Sequence, residues 1–329
     1  MKGVLRALLA ALVLVVLSGC AAAGSSPQGE SAEDYPSDDI RLIIPYAAGG
    51  PTDVAGRAVA AFFEENLGQS VVVENKVGAS GTVGTNDLVG SEPDGYTIEM
   101  ATTSPLVLVP FVEDVPYDKD DVETIGAAIQ TPAVLAVKSD SEFETAEQFF
   151  EAAKQAPGDL SVGLPGANTP QGVELRRLKD EYGVEVKPVP FNGDSEAVTA
   201  LRGGNIDALF DPTGEVVLSP IQEGDFRALA VGPEERLEYL PDTPTLKELG
   251  YENLTLSTST YGLVAPKGIS PEIISKLEST LKEALQDPEV RKQIGERYIP
   301  EEFIGSEGFR QLLDETYETY EPILGQNGG

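Results

Sequence analysis

Short apolar, strand-like runs alternate with amphipathic helical patterns along most of this chain, and glycine-rich loops follow several of the runs. That alternation is the strongest constraint on the fold. Residues 40–45 (IRLIIP) are a β-rich run. Gly49, Gly50, Pro51, Thr52 and Asp53 follow, and then a helical pattern through Leu67 in which Val54, Ala58, Ala61 and Phe62 recur at helical spacing before Gly68 stops it. Residues 71–74 form the next run. Residues 78–84 (GASGTVG) are a second glycine-rich loop that opens a helix to about Val89, and residues 97–101 are a third run ending in Thr102, Thr103 and Ser104. Near-continuous apolar strands alternating with helices predict a mainly parallel sheet flanked by helices. Such sheets bind ligands outside the carboxyl ends of their strands, where loops 46–53, 78–84 and 102–105 are expected to lie.

A second α/β unit begins past the Thr131-Pro132 step that divides the apolar residues 125–137. Helical patterns at 146–156, 171–182 and 197–201 alternate with runs at 160–163, 184–189, 206–210 and 227–231. Residues 261–266 read as a strand returning to the first unit, and helices are expected at 273–285, 290–297 and 309–320. Two α/β units joined by two apolar crossings predict two lobes around a cleft, with the crossing strands as hinge. Residues 38–131 and 262–329 make one lobe, and 132–261 the other. The length of 329 residues fits two domains at about 100–200 residues each.

The N-terminus reads as an address. Lys2 and Arg6 precede an unbroken apolar run at residues 7–17, far shorter than the roughly 20 residues a membrane span takes, so residues 1–19 fit a secretory signal. Leu17-Ser18-Gly19-Cys20 resembles a bacterial lipobox, which implies that Cys20 is acylated and becomes the first mature residue. The rival reading is ordinary cleavage near residues 21–23, with no role for the thiol. The Sec route is expected, since no paired Arg precedes the apolar run. Residues 20–37, rich in Ala, Gly, Ser, Pro and acids, read as a lipid-anchored flexible tether. The expected location is the outer face of the cytoplasmic membrane, at the cell surface or in the periplasm.

Composition removes whole function classes. With 55 acidic residues against 23 Lys and Arg, the formal net charge is −32, which disfavours nucleic acid as a partner. There is no His, so no His-dependent triad or His-ligated metal centre can form, and one Cys forbids an internal disulfide. No cofactor, no metal and no catalytic residue is expected. The acidic residues of 113–121 and the pair Glu301-Glu302 read as solvated faces.

Several blocks, in order, resemble the tripartite tricarboxylate transporter substrate-binding receptors (Bug or TctC-like proteins): residues 40–53 (IRLIIPYAAGGPTD), 67–84 (LGQSVVVENKVGASGTVG), 93–97 (PDGYT), 102–104 (TTS), 190–193 (PFNG), 204–211 (GNIDALFD), 227–231 (RALAV), 236–245 (RLEYLPDTPT) and 262–268 (GLVAPKG). The resemblance implies a two-lobe periplasmic-binding-protein fold of type II. It also implies capture of a small carboxylated solute for a membrane permease, without catalysis and as a monomer. The matching cleft positions are Tyr46, Ala48, Gly49, Gly50, Thr52 and Asp53 in the first loop and Ser80 and Thr82 in the second. Thr102, Thr103 and Ser104 follow in the third, with Thr131 and Pro132 at the hinge and Asn168, Thr169, Phe191, Asn192 and Asp211 in the second lobe.

The residues support that chemistry independently. Gly49 and Gly50 allow a ligand to approach the backbone, and Thr52 can cap the helix that follows, whose N-terminus favours an anion. Ser80, Thr82, Thr102 and Ser104 add hydroxyls. None of these loops holds Lys or Arg, so amides, hydroxyls and water are expected to replace an arginine clamp. Asp53 reads equally as a contact for an amine or as a cap, and Asp211 as a ligand contact or a loop support. The sequence departs from the family pattern at Ala48, usually Pro, which alters loop stiffness, and lacks a His after the Asn168 group, so any His-mediated contact is absent; Asn192 stands where the family usually has Lys, and that lost charge puts a highly charged ligand such as citrate in doubt. Two other function classes fit the same fold: a sensor that passes its ligand to a signalling partner, and a His-independent enzyme.

Overall fold

The computed structural model describes residues 34–325; residues 1–33, with the expected export signal, Cys20 and most of the tether, lie outside the described residues. The chain divides into two units, Met1–Tyr35 and Pro36–Gly329. The second carries all the secondary structure considered below.

Two five-stranded sheets organise it. The first is built from β1 (Ile40–Ile44), β2 (Val71–Asn75), β3 (Thr97–Thr102), β4 (Val122–Thr131) and β10 (Ser259–Pro266), in the order β2-β1-β3-β10-β4. The second holds β5 (Ala133–Lys138), β6 (Ser161–Leu164), β7 (Lys187–Pro190), β8 (Ala208–Pro212) and β9 (Phe226–Val231), in the order β7-β6-β8-β5-β9. Each sheet has one antiparallel strand, in the same place. β10 runs antiparallel between β3 and β4, and β5 antiparallel between β8 and β9. These are the strands that enter from the other half of the molecule. The mainly parallel sheets expected from the sequence are present, each with that one reversal added.

Nine helices of seven residues or more flank the sheets among the described residues: α1 (Pro51–Leu67), α2 (Thr82–Val89), α3 (Ala146–Gln155), α4 (Pro170–Tyr182), α5 (Asp194–Arg202), α6 (Glu215–Gln222), α7 (Pro271–Ala284), α8 (Pro288–Ile294) and α9 (Ser306–Leu324). Their starts are written in the sequence. α1, α4, α7 and α8 each open on a proline at the first helical position, where the missing N–H costs no hydrogen bond. α1 ends at Gly68, whose left-handed φ of 77° lets its N–H close onto the Glu64 carbonyl.

The expected buried face of α1 is corrected. Ala55, Ala58, Val59 and Phe63 are buried, whereas Ala61 is exposed and Val54 and Phe62 only half-buried. The helix starts at Pro51, not near Val54, and it is packed by α7 and α8 as well as by the sheet, so its apolar stripe is rotated by about one residue. Two other departures are local. The expected strand at 184–189 is the shorter β7, and α6 was not anticipated because Gly214 and Pro220 break its pattern.

The first sheet buries Ile43, Ala101 and Val264 against Leu88 of α2 and Phe309 and Leu313 of α9. The second buries Leu135, Val162 and Phe210 against Phe149 and Phe150 of α3 and Leu175 and Leu178 of α4. Gly262 on β10 has no room for a side chain, because the Phe309 ring and the Gly126 carbonyl already fill the place of a Cβ.

Candidate functional site

The carboxyl ends of β1, β3, β6 and β8 and the helix starts that follow them converge on one small, closed-down cavity between the two sheets. Tyr46, Thr52, Thr102, Thr103, Ser104 and Thr169, all expected from the sequence, line it. So do Gln171, Asp194, Ser259 and Tyr261, which the sequence reading missed, and the prolines Pro165, Pro170 and Pro212. No lining residue is Lys or Arg.

The first half of the wall is rich in donors. Thr52 is the second residue of α1 and not its cap; Gly50 holds the cap position and offers no side chain. The first turn of a helix leaves its amides without intrahelical acceptors, so Thr52 and Asp53 present N–H groups at a positive helix end. Tyr46 donates from its hydroxyl to the Ser80 carbonyl at 3.0 Å and stands 3.3 Å from the Thr102 hydroxyl. Burial pushes its pKa up to about 12 despite the bonds to Thr102 and Ser104, so it stays protonated. At the end of β3, Thr102, Thr103 and Ser104 are all buried.

The second half is rich in acceptors. Gln171, the second residue of α4, is fully buried, and its amide nitrogen donates to the Ser257 carbonyl at 3.0 Å and the Ser259 hydroxyl at 3.2 Å. That fixes the amide, and its oxygen has no hydrogen-bond partner in the protein. Asp194, the first residue of α5, is 5% exposed, and its Oδ1 is likewise unpartnered. Burial raises its pKa to about 7. Asp211, one residue before the end of β8, is not among the lining residues but lies behind the wall, fully buried with both carboxylate oxygens unpartnered; burial first, and then the charge of Asp194, raise its pKa well above the usual carboxylate range.

Other sequence-predicted residues hold the two halves together or support loops. The Ala47 N–H donates to the Asn192 carbonyl at 3.0 Å, and the Ser195 hydroxyl to the Ala48 carbonyl at 3.1 Å. Ser104 donates to the Asn168 carbonyl at 2.7 Å, and the Asn168 N–H to the Ser80 hydroxyl at 3.2 Å. The Asn168 side chain donates to Glu113 at 2.5 Å. Ala79 and Ser80 take φ of 47° and 52°, a left-handed turn that non-glycine residues adopt at a cost, and it carries Ser80 to that crossing. A Cβ on Gly50 would lie 2.6 Å from Asp194 Oδ2, so that glycine is what lets the halves approach here.

Thr82 bonds back to the Ala79 carbonyl, and Thr131 donates to the Tyr261 hydroxyl at 3.1 Å. The Pro132 carbonyl accepts from the Thr213 N–H at 2.8 Å. Ser80, Phe191 and Asn192 line an adjoining recess with Glu113 and Tyr46. Asp53 is fully employed: it accepts from the Gly49 N–H, Arg57 and Asn75. Burial works against its charge, but these partners outweigh it and hold the carboxyl below its ordinary range. Gly50, and not Asp53, holds the cap position, and the Asp53 carboxylate instead ties the first loop to Arg57 and to Asn75 of β2. Among the described residues no group of His, Cys, Asp and Glu has the arrangement of a metal site.

Two like α/β sheets, each carrying one strand reversed from the other half, with a polar cavity at their facing edges, define a two-lobe solute-binding receptor. Residues 55–328 match the model of the tripartite tricarboxylate transporter family receptor. The chain is 32% identical to the UPF0065 protein in the gbd 5′ region of Cupriavidus necator over 92% of its own length and 91% of that protein's. It is similar to two solved structures. One, of a periplasmic transporter, has a TM-score of 0.82 at 32% identity, with 89% of this chain and 98% of that one covered. The other, of the periplasmic binding protein BugD, has a TM-score of 0.78 at 27% identity, with 88% and 98% covered. The chain belongs to the tripartite tricarboxylate transporter receptor family, as its motifs led one to expect.

Proposed function

We propose that this protein is an exported, lipid-anchored receptor that captures a small carboxylated organic solute between its two halves and delivers it to a tripartite tricarboxylate-type permease. The observation that carries the ligand class is the first half of the cavity wall. The start of α1 and the hydroxyls of Thr52, Thr102 and Thr103 line the cavity, and helix ends with hydroxyl donors are a standard way to hold a carboxylate. Residues 38–131 with 262–329 move against 132–261, and Thr131-Pro132 is one of the two places where the rotation is absorbed. Ser80, Asn168 and Asn192 lie where the halves meet and act at the mouth. Catalysis plays no part.

A thermal-shift screen tests this. A ligand at 100 times its Kd adds about 2.7 kcal/mol of stability, so mono-, di- and tricarboxylates, amino acids, aromatic acids and sugars can be ranked directly. Stabilisation by a sugar or a peptide and by no carboxylate overturns the ligand class. The anchor has a separate test: Cys20→Ser should release the protein from membranes, and retention there defeats the lipoprotein reading.

A further inference from the structure

The cavity has a second polarity that a plain carboxylate does not use. Facing the donors of α1 and β3 are two unpartnered acceptors, Asp194 Oδ1 and Gln171 Oε1, both at least nine-tenths buried and both on the cavity wall. The Gln171 amide cannot turn to offer a donor without breaking its bonds to Ser257 and Ser259. A buried acceptor left without a donor costs about 1–3 kcal/mol, more when it is charged. No cation among the lining residues supplies that donor. A ligand that brought only negative charge would be set against Asp194, with Asp211 close enough to that carboxylate to feel its field.

We propose that the solute is an amino carboxylate, whose carboxylate lies on the donors of α1 and β3 and whose ammonium is received by Asp194 and Gln171. The inference rests on the reading of the cleft as a carboxylate receptor and narrows it from acids in general to zwitterions. An ammonium carries three donors and one positive charge, so it satisfies both open oxygens and neutralises the buried carboxylate in one step. Asp194 is then the specificity-determining residue. It rejects the des-amino analogue because binding that compound leaves Asp194 buried and unpaired.

The test is calorimetric titration of the purified full chain with matched pairs that differ only in the amine: aspartate and succinate, glutamate and glutarate, leucine and 4-methylpentanoate, phenylalanine and 3-phenylpropionate. In at least one pair the amino member should bind ten times or more tighter. In Asp194→Asn that preference should collapse at least tenfold, with binding of the des-amino member unchanged or improved. A des-amino member that binds as tightly as its partner in the wild type, in every pair that binds, overturns the inference while the carboxylate reading stands. So does a preference that survives in Asp194→Asn. If no member of any pair binds, this inference fails, and the thermal-shift screen alone decides the carboxylate reading. The wild-type comparison decides the matter even if the variant folds poorly.

Discussion

The two sheets are built to one plan and supply opposite chemistry to the space between them. β1 leads into α1 and β6 into α4; each helix opens on a proline, and the next residue faces the cavity, Thr52 in one and Gln171 in the other. β2 leads to α2, which begins at Thr82, and β7 leads to α5, which begins at Asp194. β3 ends in hydroxyls at Thr102, Thr103 and Ser104, and β8 carries the carboxyl of Asp211 one residue before its end. Equivalent backbone stations therefore carry hydroxyls on one side and carbonyl or carboxyl oxygens on the other. The fold fixes where the stations are, and the residue at each decides the sign.

The comparison can be broken most severely at Gly50. Alanine there places a Cβ 2.6 Å from Asp194 Oδ2, so the carboxylate that faces the cavity has to move. Overpacking of this kind costs about 1–3 kcal/mol, so calorimetry should show ligand affinity falling about ten- to hundredfold. Circular dichroism should remain native, since the φ of −80° at Gly50 suits any residue. A smaller cut is Ser104→Ala, which removes the bond to the Asn168 carbonyl. A net hydrogen bond contributes about 0.5–1.5 kcal/mol, so affinity should fall about two- to tenfold, chiefly through faster release in stopped-flow measurements.

Titration sharpens the comparison differently. Burial raises Glu99 on β3 to about 8 even though Thr85 donates to it, and raises Glu174 on α4 and Asp194 to about 7. Folded carboxyls with raised pKa bind protons that the unfolded chain has already released. Their stabilising effect is complete below about pH 4 and is lost as pH rises through about 7–8. Other carboxylates, Asp53 among them, act in the opposite sense at acid pH. The melting temperature should therefore fall by several degrees between pH 5.5 and 8.5, and Glu99→Gln should flatten that slope; a slope equal to the wild type's would show that Glu99 is ionised throughout. Asp194→Asn should flatten it too, within a setting in which Asp211, Tyr46 and Tyr261 face that carboxyl.

The smallest effect concerns the charge of −32. An acidic surface slows a dianion at low ionic strength, and screening over a Debye length of about 3 Å at 1 M salt relieves it. The association rate of succinate should rise with salt, whereas that of an amino acid with one ammonium and one carboxylate should hardly change. A rate for succinate that falls with salt would show that the cleft, not the shell, governs approach.

Much of this was legible in the residues, for local reasons. Glycine and proline mark the ends and starts of helices, so the order of elements could be read directly. The hydroxyl-bearing loops after β1, β2 and β3 announced the donor half. The antiparallel places of β5 and β10 could not be read, because register across a sheet is set by partners far away in the chain, as in the pairings of Val137 with Ala208 and of Tyr261 with Ile129. Nor could the acceptor half. Asp194 just after Gly193 looks like an ordinary acid at a helix start, where the dipole welcomes it, and Gln171 like a surface residue beside Pro170. What surrounds them lies far away in the chain: Gly50 comes up against Asp194, and Ser257 and Ser259 hold Gln171. The one available signal was position: each begins a helix that follows a strand's carboxyl end.

The place of β10 also dictates an order of assembly. Between β3 and β4 there is no direct pairing; β10 fills the gap, and it lies more than 120 residues after β4 in the chain. As the chain emerges from its N-terminus, the first sheet must wait with a missing central strand while the whole second sheet is made and can close. The half that is synthesised first is thus the last to be completed, and the exposed edges of β3 and β4 are what a holding chaperone would have to cover in the interval.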